Sequence, residues 1–280
     1  MFTGLPRVGH INFLNCLPLT YSYQQEKFSQ GLELLPADPA TLNRAIVSHQ
    51  LDVSPVSSIV YAQNSEKFFL LPDVCIRADG PVQSIVLIAR KPISQLSDDT
   101  IVLTAKSATS HCLLKIIMEK SYGVRPRYSI RHVNAETALQ EDASATLLIG
   151  DDALYVHHHP EPGLYYYDIG AEWKKLTGLC MVYAVWVVRR DFARQQSACL
   201  PLLYQRIVGG FKNGYLKKQQ AIASVLKDKP FSFEELDEYL DVIRWDFGRQ
   251  EQAALMRFYT LAREMNLLTQ TPEITLAKIF

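Results

Sequence analysis

No stretch of this chain can cross a bilayer as a helix: the longest apolar run, residues 179–188, has ten residues, and a span needs about twenty. The first ten residues, MFTGLPRVGH, lack the apolar core of a signal peptide. Charge leans neither way, with 29 basic and 29 acidic residues. That removes the electrostatic case for nucleic acid or an anionic membrane as partner. The five cysteines (Cys16, Cys75, Cys112, Cys180 and Cys199) are odd in number and have no CxxC spacing, which excludes a disulfide framework and a cysteine zinc site. A reducing, cytoplasmic setting is the expectation. Also missing are GxGxxG, GxxxxGK[ST] and the GxSxG nucleophile elbow. His157, His158 and His159 are consecutive, so their side chains do not converge as tetrahedral ligands would, and no metal is expected.

What is there is an ordinary globular composition, 48% hydrophobic and 21% charged over 280 residues, enough for one large domain or two smaller ones. Residues 7–19, RVGHINFLNCLPL, open with a strand-like run and break at Asn12, Asn15, Cys16 and Pro18. Proline there suits the first turn of a helix. Asp38-Pro39 is a capped helix start, residues 51–56 return to strand, and Ser57-Ser58 opens another helix. This alternation predicts a parallel sheet with helical crossovers. A second α/β series follows: strand 101–104, helix 111–122 stopped by Gly123, strand 128–133, a short helix over 137–139, and strand 145–149. Residues 164–169 and 181–188 read as the last strands. Beyond Asp191 the pattern is helical, with a capping box at 232–235 and a stripe of Leu236, Tyr239, Leu240 and Ile243. The fold class read from this is α/β in two lobes with a ligand cleft between them. The first lobe is discontinuous, residues 1–88 and 189–280, and the second is 89–188.

Four strand-to-helix junctions carry small polar residues: Asn12/Asn15, Ser57/Ser58, Ser107/Thr109/Ser110 and Gly150/Asp151. Ligands bind at the carboxyl ends of strands in open α/β sheets. Helix N-termini there offer free N–H groups that favour carboxylates or phosphates. Each junction alone is equally an N-cap; four facing one cleft suit a small anion that must later leave. His10 and His111 are candidate bases that also read as packed or capping histidines.

Six blocks in order, VGHINFLNCLPLTY, LDVSPVSSIVYA, GPVQSIVLIARKPI, SATSHCLLKIIME, LLIGDDAL and TGLCMVYAVWVVRRD, resemble the chorismate dehydratase family of the futalosine route to menaquinone. The likeness runs to about Asp191 and is looser in the C-terminal helices. It implies a two-lobed fold like that of type II periplasmic binding proteins. It also implies conversion of chorismate, a small dicarboxylate, to 3-[(1-carboxyvinyl)oxy]benzoate and water, with no cofactor, in a monomer or homodimer. By position in the blocks, Asn15, Ser57, Ser84, Ser107, Thr109 and Ser110 are the implied substrate-binding set, and Asn15, Ser84 and Asp151 the catalytic one. Two candidates for the base stay open, Asp151 and the substrate's own enolpyruvyl carboxylate. The chain departs from the family at Cys180-Met181, where Pro-Phe is usual, and at Gly9-His10, where an aromatic usually follows glycine; both bear on pocket shape. Alternatives are 1,4-dihydroxy-6-naphthoate synthase, the sister enzyme of the same fold, and a non-catalytic solute-binding protein.

Overall fold

A computed structural model describes residues 4–279. Its ten strands are β1 (Arg7–Ile11), β2 (Glu33–Ala37), β3 (Val53–Ser57), β4 (Phe68–Ala78), β5 (Ile85–Ala89), β6 (Thr100–Thr104), β7 (Arg127–Arg131), β8 (Ala145–Ile149), β9 (Tyr165–Asp168) and β10 (Met181–Arg189). They form two five-stranded sheets, β2-β1-β3-β10-β4 and β7-β6-β8-β5-β9. The pairs β1–β2, β1–β3, β6–β7 and β6–β8 are parallel, as the helical crossovers require. One strand in each sheet runs against its neighbours: β10 against β3 and β4, β5 against β8 and β9. These two are the strands on which the chain enters each lobe.

That topology corrects the lobe limits read from the sequence. β5 lies wholly in the second sheet, so that lobe's sheet begins before residue 89, and β10 lies wholly in the first, so residues 181–188 do not belong to the second. A fully buried run such as β10 looks the same from either side of a crossing. The eleven-residue β4 has no counterpart in the sequence reading, because Pro72 and Asp73 interrupt its apolar pattern. Both fall in an irregularity of the β4–β10 ladder between Leu70 and Cys75, and Asp73 has a φ of 61°. The helix Ile169–Thr177 also escaped, and residues 137–139 form a turn instead of a short helix. There Thr137 N–H and Oγ1 both donate to Asn134 Oδ1, which holds the backbone out of helical pairing.

Predicted starts otherwise hold. Asp38 accepts from Thr41 N–H at 3.0 Å, and Ser232 and Glu235 form the expected capping box. One hydrophobic core runs through both lobes, and a smaller cluster around Val86, Val102 and Leu148 covers one face of the second sheet. The first wall of the cleft rests on the helix Leu17–Tyr23, which follows Asn15 and packs on Leu200–Leu216. Two glycines allow that approach: Ser22 Oγ donates to Gly210 O at 2.6 Å, and a Cβ on Gly214 would coincide with the Pro18 carbonyl. Backbone cannot give way as a side-chain tip can. Gly214→Ala is therefore expected to cost about 3 kcal/mol, read as a lower urea midpoint at unchanged slope.

Candidate active site

Because β5 runs antiparallel, its start lies at the same edge as the carboxyl ends of β6 and β8. That brings Ser84, just ahead of β5, to the polar junctions. A cavity between the sheets has about 580 Å³ of space free of protein atoms, part of it open to solvent. Asn15, Ser57, Ser84, Ser107, Thr109 and Ser110 all line it. They come from three of the four junctions and, for Ser84, from the segment that crosses into the second lobe ahead of β5; the fourth junction contributes Gly150. Ile11, Phe13, Val56, Ile76, Ile85 and Ile149 supply much of the apolar lining.

The hydroxyls are held in a consistent sense. Ser57 Oγ accepts from Asn43 Nδ2 at 3.0 Å, while Asn43 Oδ1 accepts from Ser57 N–H. Ser110 Oγ accepts from Ser107 Oγ at 3.0 Å, and Ser84 Oγ accepts from Tyr239 Oη at 2.9 Å. A hydroxyl that already accepts keeps its one proton to give. Asn15 Oδ1 is buried without a partner among the described residues, so the amide is left for a ligand or water. Thr109 is differently employed. Its Oγ1 accepts from Ile59 N–H at 3.2 Å and lies 3.2 Å from Ser58 Oγ, joining the second lobe to the helix Ser58–Gln63 of the first. The helix Thr109–Tyr122 also starts at the cavity. Its dipole favours an anion there.

Among the described residues, no carboxylate, lysine, arginine or histidine lines this cavity. Asp151, expected among the catalytic groups, stands outside the lining. Its Oδ1 accepts from Leu14 N–H at 3.0 Å and its Oδ2 from Lys229 Nζ at 2.6 Å. It thus clasps the second lobe to the first across the cleft mouth, since a residue after Gly150 turns outward as the helix Gly150–His158 begins. His111 Nε2 lies 2.8 Å from Thr104 O, facing an outer depression. His10 is buried, with Nε2 2.8 Å from Thr20 Oγ1, whose own proton goes to Cys16 O. Nε2 therefore carries the ring proton.

Three further residues were not singled out as functional in the sequence. Asn43 is a polar residue on the buried face of an amphipathic helix, and that misfit was its one signal. Tyr239 read as stripe, although a buried tyrosine must place its hydroxyl. Asp168 accepts from Val82 N–H, Gln83 N–H and Ala171 N–H at 2.6–3.0 Å. Burial pushes its carboxyl above the ordinary value despite those donors.

Two outcomes are expected from this geometry. Gly150 has a φ of 65°, and a Cβ there would lie 2.8 Å from the Phe13 ring. Gly150→Ala should cost about 2 kcal/mol or more, and adding Phe13→Ala should return part of the loss in chemical denaturation. Burial holds the His10 pKa down at about 4, whereas the unfolded ring takes its proton near pH 6.5. As pH falls between those values the unfolded state binds a proton that the native state refuses, so stability drops by about 3 kcal/mol. His10→Gln should remove that part of the slope of stability against pH while leaving the curve above pH ~7 parallel to wild type.

A family model described as menaquinone biosynthesis matches residues 6–264. The chorismate dehydratase of Thermus thermophilus is 32% identical over 202 residues, 67% of this chain and 69% of that protein. The chorismate dehydratase of Campylobacter jejuni is 26% identical over 92% of this chain and 98% of its own length. A 1,4-dihydroxy-6-naphtoate synthase of Thermus thermophilus is 24% identical over 86% of this chain and 87% of its own. Among solved structures, a protein of Archaeoglobus fulgidus superposes with a TM-score of 0.77 at 20% identity, covering 96% of this chain and 100% of that one. The periplasmic aliphatic sulphonate binding protein SsuA of Escherichia coli superposes with a TM-score of 0.65 at 16% identity, over 96% and 90%. The likeness to SsuA shows the periplasmic-binding-protein fold. With a matching model over nearly its whole length, the chain belongs to the menaquinone-biosynthesis family that includes the chorismate dehydratases.

Proposed function

We propose that this protein is a chorismate dehydratase, a hydro-lyase that converts chorismate to 3-[(1-carboxyvinyl)oxy]benzoate and water. The observation that carries the reading is the cavity's chemistry: seven hydrogen-bonding side chains, those six and Tyr183, and, among the described residues, none that is charged. In the reaction a proton leaves one ring carbon and hydroxide leaves its neighbour. The electron pair of the broken C–H bond completes the aromatic ring, with no net oxidation or reduction. Aromatisation supplies driving force, so the protein's task is orientation and a short proton transfer. Neutral donors and helix N-termini are suited to a dicarboxylate that must enter and an anionic product that must leave.

In this reading Asn15, Ser57, Ser84, Ser107, Thr109 and Ser110 hold the substrate, with Asn15 and Ser84 placing the reacting groups. The base is the substrate's own enolpyruvyl carboxylate. Asp151 serves as the clasp, because both its oxygens are engaged outside the cavity. The sister naphthoate-forming reaction is less favoured, since the chain's identity to that enzyme is lower and, among the described residues, no histidine stands in the lining.

The test is to mix the protein with chorismate and follow the product by mass and absorbance. Loss of one water with a new aromatic band is expected; tight binding with chorismate unchanged would instead make this a binding protein. Asn15→Ala and Ser84→Ala should each lower turnover at least tenfold, about 1.4 kcal/mol in the barrier, without loss of fold. Wild-type kinetics in both would remove them from the site.

A further inference from the structure

Ser84 occupies an unusual piece of backbone. Its N–H donates to Val82 O at 2.6 Å, closing a three-residue turn around Gln83, whose φ is 59°. A turn of that sign is rare and strained, and it persists because its surroundings hold it. Asp168 takes the Val82 and Gln83 N–H groups from one side. From the other side the helix Phe233–Val242 grips consecutive residues with consecutive residues. Glu238 Oε1 accepts from Gln83 Nε2 at 3.2 Å, and Tyr239 Oη donates to Ser84 Oγ at 2.9 Å.

Tyr239 is 1% exposed, so no bulk water competes for its hydroxyl, and Ser84 Oγ is its hydrogen-bond partner among the described residues. Burial raises its pKa far above the usual tyrosine value, which keeps the proton in place. With one lone pair of Ser84 occupied from behind, the serine proton has two destinations. One is Val82 O, at a long 3.3 Å and shared with Ser84 N–H; the other is a ligand oxygen in the cavity. The first is poor, so the second wins once a ligand oxygen arrives.

We infer that Tyr239 is a positioning residue for this site, turning Ser84 into an obligate hydrogen-bond donor toward the bound substrate. The inference rests on the dehydratase reading for the identity of that substrate. Tyr239 does not line the cavity; it acts through Ser84.

The experiment is a double-mutant cycle of Tyr239→Phe and Ser84→Ala on the full chain, with chorismate as the probe. Phenylalanine keeps the packing and deletes only the O–H. Tyr239→Phe alone should lower kcat about tenfold with KM changed less than about threefold. In the Ser84→Ala background, where there is no hydroxyl to orient, the same change should have no further effect. A purely structural role would give losses that multiply in the double variant, and that result, or wild-type kinetics in Tyr239→Phe, overturns the assignment. Wild-type protein that binds chorismate without turning it over rejects the dehydratase reading alone. The same cycle is then read on Kd: no further loss in the double variant supports the role of Tyr239, and losses that multiply overturn it. Wild-type protein that neither binds nor converts chorismate overturns both.

Discussion

The carboxylate of Asp168 is the constraint on which the site's construction depends. It ends β9, starts the helix Ile169–Thr177 by accepting from Ala171 N–H, and accepts from two successive N–H groups of the outgoing crossing. The segment leaving the first lobe and the segment returning to it are thus tied at one half-buried carboxylate. Removing that anion would leave three backbone donors without partners, each costly to bury unpaired. The strained turn at Gln83 is tolerated only because these bonds and those from Glu238 and Tyr239 over-determine it. Ser84 takes its direction from this arrangement and from no regular secondary structure.

The rest of the cavity follows from topology. In each lobe the single reversed strand brings its beginning to the edge where parallel strands end, so loop residues from both kinds of strand meet. Charge is kept at the rim. Lys229 and Asp151 pair there, and Lys106 pairs with Asp152 at 2.7 Å, while the polar side chains of the interior, among the described residues, are hydroxyls and one amide. An anion in such a place is stabilised by oriented dipoles that need little rearrangement during reaction. Because the donors are themselves held by Asn43, Ser107 and Tyr239, their orientation is set before any ligand binds.

Much of this was legible in the sequence. Small polar residues at strand ends gave Asn15, Ser57 and the Ser107–Ser110 cluster, and resemblance supplied Ser84, which sits at no strand-to-helix junction. The placing of Asp151 at the rim was not legible, because a carboxylate beside a glycine at a strand end looks equally suited to face inward or outward. One residue of helix rotation decides, and spacing does not encode it. Asn43 and Tyr239 were hidden for a related reason: each lies on an apolar helix stripe, where periodicity marks burial and says nothing about what a polar tip meets. β4 was lost to Pro72 and Asp73, whose bulge can be recognised only once β10 is known to lie beside it.

The reversed entry strands also bear on how the molecule comes to be folded. β10 sits in the middle of the first sheet, between β3 and β4, yet it follows the entire second lobe in the chain. The first sheet therefore cannot be completed until the second has been synthesised, whereas every strand of the second is contiguous in sequence. Pairings of such long range form late, after the entropy of closing a large loop has been met. On the ribosome β1 to β4 must wait, with the edges of β3 and β4 that will receive β10 unpaired, while the inserted lobe assembles first. Protection of those edges during synthesis is then a requirement of the architecture itself, separate from anything the finished cavity does.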